Sequence, residues 1–145
     1  GPTAEVFLNP KSLAVARAFS DPPMNLLRGQ ASSAGVQLAG GLALPLAMPP
    51  GLQGEVTVGL RAGALKLGRA DDAGVQVPSR VVLAEIAGSD TFVHLHSPAG
   101  ELVAQLTGVH RFELGSSFTL RFDTASAYVF DADGNLALAP RNGKG

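Results

Sequence analysis

No cysteine occurs anywhere in this sequence. Its absence excludes disulfides, thiol catalysis and every cysteine-ligated zinc or iron–sulfur site, and it fits a reducing compartment. Charge is also sparse. Only 16% of the 145 residues are Asp, Glu, Lys or Arg, and they balance to a net charge of −1. Such a chain offers no basic field to draw nucleic acid or an anionic membrane surface, so no nucleic acid is expected among its partners. There is no acidic or basic tail. No apolar run reaches the roughly 18 residues that a membrane-crossing helix needs, and the opening residues do not read as a signal segment. Gly1-Pro2 reads as the remnant of a removed expression tag and is set aside from the fold.

Helical periodicity is equally scarce. Asn9-Pro10 can start a helix, because Asn caps and Pro is tolerated at the first helical position. Leu13, Val15, Ala16 and Phe19 then gather near one face, and Pro22-Pro23 forces a stop. The spacing predicts one short helix over 10–20. Everything after Pro23 reads as short strands: 24–30, 35–39, 41–46, 55–61, 64–67, 74–87, 91–97, 101–107, 117–123, 127–130 and 135–139. Glycine, proline and aspartate turns separate them at close spacing, which suggests a barrel or sandwich. Alternation assigns the faces. Val93 and Leu95 point one way, and Phe92, His94 and His96 the other. Phe118, Leu120 and Phe122 share a face, as do Val56, Val58 and Leu60. Ser97-Pro98-Ala99-Gly100 reads as a tight hairpin, and Asp133-Gly134 as a two-residue hairpin with positive φ at both turn positions. A chain of this length makes one domain able to bury roughly two-thirds of its unfolded surface.

The chemistry-bearing patterns are thin. No phosphate-cradling loop is present, and paired glycines such as Gly40-Gly41 lack a strand–turn–helix setting. His94-x-His96 with His110 could form an open zinc site. However, no carboxylate stands ready in "TFVHLHS" to orient the imidazoles, and the histidines read instead as a solvent-side or interface face. "DADGN" at 131–135 copies the start of a calcium loop, but Leu136 stands where the turn glycine belongs and Asn142 where the bidentate Glu belongs. No serine sits in a nucleophile elbow. Gly88-Ser89-Asp90-Thr91 reads as a polar corner whose side chains cap backbone or present hydrogen bonds to a small ligand. Arg61, directly after an apolar strand, suits an anion clamp or, more ordinarily, a surface salt bridge. The residues alone point to a mainly β, barrel-like module with no catalytic, cofactor-binding or metal-ligating set.

The stretch "LNPKSLAVARAFSDPPMNLLRG" resembles the region after the ATPase domain in ATP-binding subunits of ABC importers. The similarity is to the carbohydrate and glycerol-phosphate group related to the maltose ATPase. There a short helix ends in a Pro-x-Met-Asn-like turn, and Pro23, Met24 and Asn25 match it. Gly59-Leu60-Arg61 resembles the family's Gly-Val-Arg-Pro-Glu strand end, with Ala62 and Gly63 in place of Pro-Glu. "VVLAEIAGSDTFVHL" is similar to the next family segment through Gly88, Ser89, Asp90, Val93 and His94. Phe122-Asp123 and Val129-Phe130-Asp131 match its closing stretch.

The resemblance implies an oligomer-binding-like (OB-like) β-barrel of the transport-associated kind, TOBE, built of short antiparallel strands. It implies a connector helix at 3–23 leading from an absent ATPase domain, none of whose Walker or signature motifs occurs in this sequence, a regulatory domain at 24–140 and a flexible tail at 141–145. It further implies that this piece is no enzyme and holds no cofactor, while ATP and Mg belong to the parent's ATPase domain. The expected partners are a second copy through the regulatory domain, the ATPase domain, transmembrane permease subunits and a small-molecule or protein regulator. The expected location is the cytoplasmic side of a bacterial membrane, peripheral to it. Arg61, Ser89, Asp90, Phe92, His94 and His96 are the candidate contact or regulatory residues. The rivals are a free-standing oxyanion-binding TOBE-type domain, disfavoured by the lack of clustered Lys, and a zinc enzyme built on the three histidines.

Overall fold

A computed structural model describes residues 24–68 and 74–140. The expected helix over 10–20, the connector 3–23, the tag remnant and the tail 141–145 lie outside the described residues. Eleven strands follow in order: β1 (Asn25–Ser32), β2 (Gly35–Leu38), β3 (Ala43–Pro45), β4 (Gly54–Leu60), β5 (Lys66–Leu67), β6 (Val75–Ala87), β7 (Asp90–Ser97), β8 (Gly100–Thr107), β9 (Ser117–Phe122), β10 (Tyr128–Phe130) and β11 (Leu136–Leu138). Each falls on one of the stretches that alternation and turn residues mark in the sequence. The strands form a six-stranded sheet, β11-β10-β4-β1-β2-β3, and a five-stranded sheet, β5-β9-β6-β7-β8. Every pairing is antiparallel. The result is an OB-like fold of two curled sheets.

The alternation explains the core. Leu27, Val36, Leu44, Val56, Val58 and Leu60 of the first sheet meet Val77, Val93, Leu95, Leu102, Leu120 and Phe122 of the second, all nearly inaccessible to solvent. A second, smaller cluster of Met24, Tyr128 and Phe130, flanked by Leu26 and Leu136, lies on the opposite face of the first sheet. Tyr128, Val129 and Phe130 are therefore all buried, with Val129 belonging to the main core. Gly59 makes the second cluster possible. A Cβ there would stand 2.5 Å from Met24 Sδ and 3.1 Å from Phe130 Cε2.

Asn25 closes the barrel. Its Nδ2 donates to the Val103 carbonyl at 2.9 Å, and its Oδ1 accepts from the Val103 N–H at 2.8 Å. A buried side-chain amide thus serves the edge of β8 that none of the described strands covers. The Met24-Asn25 pair that follows Pro23 accordingly has two jobs, since Met24 fills the small cluster and Asn25 ties β1 to β8.

Gly88-Ser89 links β6 to β7 as a two-residue loop with positive φ at Gly88 alone, 63°, the pattern of a II′ hairpin rather than an open corner. The Asp133-Gly134 turn also differs from expectation. Only Gly134 has positive φ, 85°. Gly134 N–H donates to the Asp131 carbonyl, and Asp131 Oδ1 accepts from the N–H groups of Asp133 and Asn135. The aspartate that opens the calcium-like string is thus spent on its own backbone, in a longer loop than the two-residue type.

Candidate interaction surface

The outer face of the five-stranded sheet carries the predicted β7 residues. Antiparallel register sets them in three rows: Glu85–Phe92–Gln105, Leu83–His94–Val103 and Arg80–His96–Glu101. Leu83 joins this face because β6 has a bulge at Val82. Val81 opposes Leu95 and Leu83 opposes His94, so Val82 is extra and the inside–outside parity switches there. Phe92, His94 and Val103 are half-buried and Leu83 is 43% exposed, giving an apolar band with an imidazole at its centre. His96 lies farther out, its Nδ1 2.7 Å from Glu101 Oε1. Both side chains are largely exposed, so this contact contributes at most about 1 kcal/mol.

Ser89 and Asp90 stand at the opposite end of β7 from His96. Asp90 Oδ2 accepts from Gln105 Nε2 at 2.8 Å, and the Ser89 carbonyl accepts from Gly108 N–H. Thr91, fully buried, donates to the Gly108 carbonyl and accepts from His110 N–H. His110 is thereby held at the Thr91 end, away from His96. Among the described residues no three His, Asp or Glu side chains gather as a metal-binding group.

Arg61 belongs to neither group. It follows β4, and its Nε donates to Tyr128 Oη at 3.1 Å while its Cζ sits 5.4 Å from the Tyr128 ring centroid. Nη2 is buried and has no hydrogen-bond partner. The surface salt bridge expected for Arg61 is therefore replaced by a contact to a buried tyrosine ring. No local pattern around Arg61 signals this contact, because Tyr128 is 67 residues downstream.

The family model described as the TOBE domain matches residues 58–130, from β4 to β10. The chain belongs to the TOBE domain family. Relatives of this TOBE domain include the sn-glycerol-3-phosphate import ATP-binding protein UgpC of Yersinia pestis, 31% identical over 97% of this chain and 40% of that protein. UgpC of Pectobacterium atrosepticum is 28% identical over 95% of this chain and 39% of its own length. The Escherichia coli O157:H7 protein of the same name is 31% identical over 92% and 38%. The chain thus spans about two-fifths of the length of the curated relatives it matches. Among solved structures, the cytoplasmic molybdate-binding protein ModG aligns with TM-score 0.56 over 72% of this chain and 94% of that one. At 15% identity that likeness shows the fold alone. No helix among the described residues is long and apolar enough to cross a membrane.

Proposed function

We propose that this TOBE domain is the C-terminal regulatory and dimerisation domain of the ATP-binding subunit of a bacterial ABC importer. The parent takes up a sugar or a glycerol phosphate, and its ATP site lies in a separate ATPase domain. The observation that carries this reading is the alignment of 97% of the chain with an import ATP-binding protein at 31% identity. In the parent, the domain contacts its own copy and the subunit docks on permease subunits at the cytoplasmic face of the membrane. A contact between regulatory domains gives the two ATPase halves a high effective concentration for each other without adding contacts at the nucleotide. A regulator that favours one arrangement of the domain pair shifts the ATPase cycle only by its difference in affinity between the arrangements.

The Leu83–His94–Val103 band with Phe92 is the surface this reading assigns to the second copy. Replacing Phe92 with Asp in the full-length subunit puts an unpaired charge within that contact, so sedimentation should move from dimer toward monomer. An unchanged dimer would remove this face from the assignment.

A further inference from the structure

We propose that the cavity between β5, the start of β7 and the end of β8 binds a small hydroxylated anion: a short polyol or sugar bearing one phosphate or carboxylate. The cavity, of about 400 Å³, is of the size that small-molecule sites occupy. The buried Leu65 and Leu106 contribute apolar lining to it. Lys66, Asp90, Gln105, Thr107 and His110 surround it, drawn from β5, β7, β8 and the loop after β8.

The unused bonding capacity of these groups specifies the ligand. The Lys66 side chain is exposed and makes no hydrogen bond or ion pair among the described residues, although Asp90 lines the same cavity. A charge pair that shares a cavity without closing on itself leaves room for a molecule between the two. The Lys66 ammonium can only donate, so it calls for an anionic group. The other side of the cavity is rich in acceptors. Asp90 spends Oδ2 on Gln105 Nε2, which leaves its second oxygen and the Gln105 carbonyl oxygen open. His110 Nε2 lies 2.8 Å from the Thr107 carbonyl, which can only accept, so Nε2 carries a proton and donates there, leaving Nδ1 as the ring's second polar atom. The Thr107 hydroxyl adds a group that both donates and accepts. Several separate acceptors opposite one ammonium suit vicinal hydroxyls next to an anionic end better than a single ammonium group would. Gly63 at the rim keeps the mouth open, with no atom within 4 Å of where its Cβ would stand.

The site stands on its own geometry, and only its role as the sensor of a transport regulator rests on the reading above. The test uses the 145-residue chain itself. Amide and Gln side-chain NMR shifts are followed on titration with sn-glycerol 3-phosphate, glycerate, glycerol, inorganic phosphate and glycine. The expected result is saturable binding of the first two, shifts centred on Gln105, Thr107 and His110, and at least about tenfold weaker binding of the other three. Lys66→Gln and, separately, Asp90→Asn should each weaken binding by about tenfold while leaving the rest of the spectrum in place. No saturable binding overturns the proposal. So does equal binding of inorganic phosphate or of glycine, or binding that neither variant weakens. Because no ATPase or permease takes part, failure here leaves the transport reading untouched, and failure of the transport reading leaves the binding site standing.

Discussion

Removing the Asn25 side chain would leave the N–H and C=O of Val103 without these partners at a part-buried point of the barrel wall. Each orphaned backbone group costs about 1–3 kcal/mol, so Asn25→Leu should destabilise the chain by about 2–4 kcal/mol in urea unfolding. Asn25→Asp discriminates further, because a carboxylate can accept from the Val103 N–H but sets its second oxygen against the Val103 carbonyl. The isosteric change should therefore cost nearly as much as the Leu substitution, and a neutral result would show that burial of the site, rather than the paired bonds, holds the strands together. Tyr128→Phe acts on a different bond. It removes the acceptor for Arg61 Nε, whose neighbour Nη2 already lacks a partner. Two unpaired guanidinium nitrogens in one half-buried site should cost about 1–3 kcal/mol, read as a lower urea midpoint at unchanged slope.

At the scale of elements, β6 is the informative strand. Its first half follows simple alternation, with Val75, Val77, Ser79 and Val81 inward, and pairs with β9. Val82 then adds a residue that no partner opposes, and Leu83 emerges on the outside. Deleting Val82 removes the extra residue while leaving Val81 opposite Leu95 and Leu83 opposite His94, so the fold should survive within about 1 kcal/mol. Deleting Ala84, only two positions on, shifts Glu85 toward the inward position beside Val93 and should cost clearly more. Equal losses in the two deletions would mean that the bulge's bend, rather than its parity switch, is what the sheet needs. The same strand shows what sequence can reveal. Strand limits were legible because Gly88, Gly100 and Gly134 mark turns by chemistry that acts within a few residues. The bulge was not, because an apolar run such as Val81-Val82-Leu83 satisfies either parity, and only the partner strand decides. The turn at Asp133-Gly134 departs from its sequence expectation for a related reason. The dipeptide favours a short hairpin, but the Asp131 side chain captures two N–H groups and stabilises a longer loop.

For the whole molecule, the OB-like family pattern was readable because Met24-Asn25, Gly59-Leu60-Arg61 and Val129-Phe130-Asp131 each occupy a structural joint. They are, respectively, the barrel closure, the packing point under Met24, and the strand that carries the second cluster into its turn. The cavity at Lys66 was not readable in this way, since its walls come from segments up to 47 residues apart whose convergence depends on sheet order (Gly63 to His110). The same dependence on both sheets governs stability. The main core draws its side chains from the six-stranded and five-stranded sheets alike, so neither sheet keeps that core buried once the other leaves. Unfolding should then be all-or-none. The chain contains one tyrosine and no tryptophan, and Tyr128 sits in the small cluster of the first sheet. Its fluorescence therefore reports that sheet, whereas far-UV circular dichroism reports both. The two urea transitions should coincide in midpoint and slope. An earlier tyrosine transition would show that Met24, Tyr128 and Phe130 form a separately melting unit, and that the edge formed by β10 and β11 opens before the barrel does.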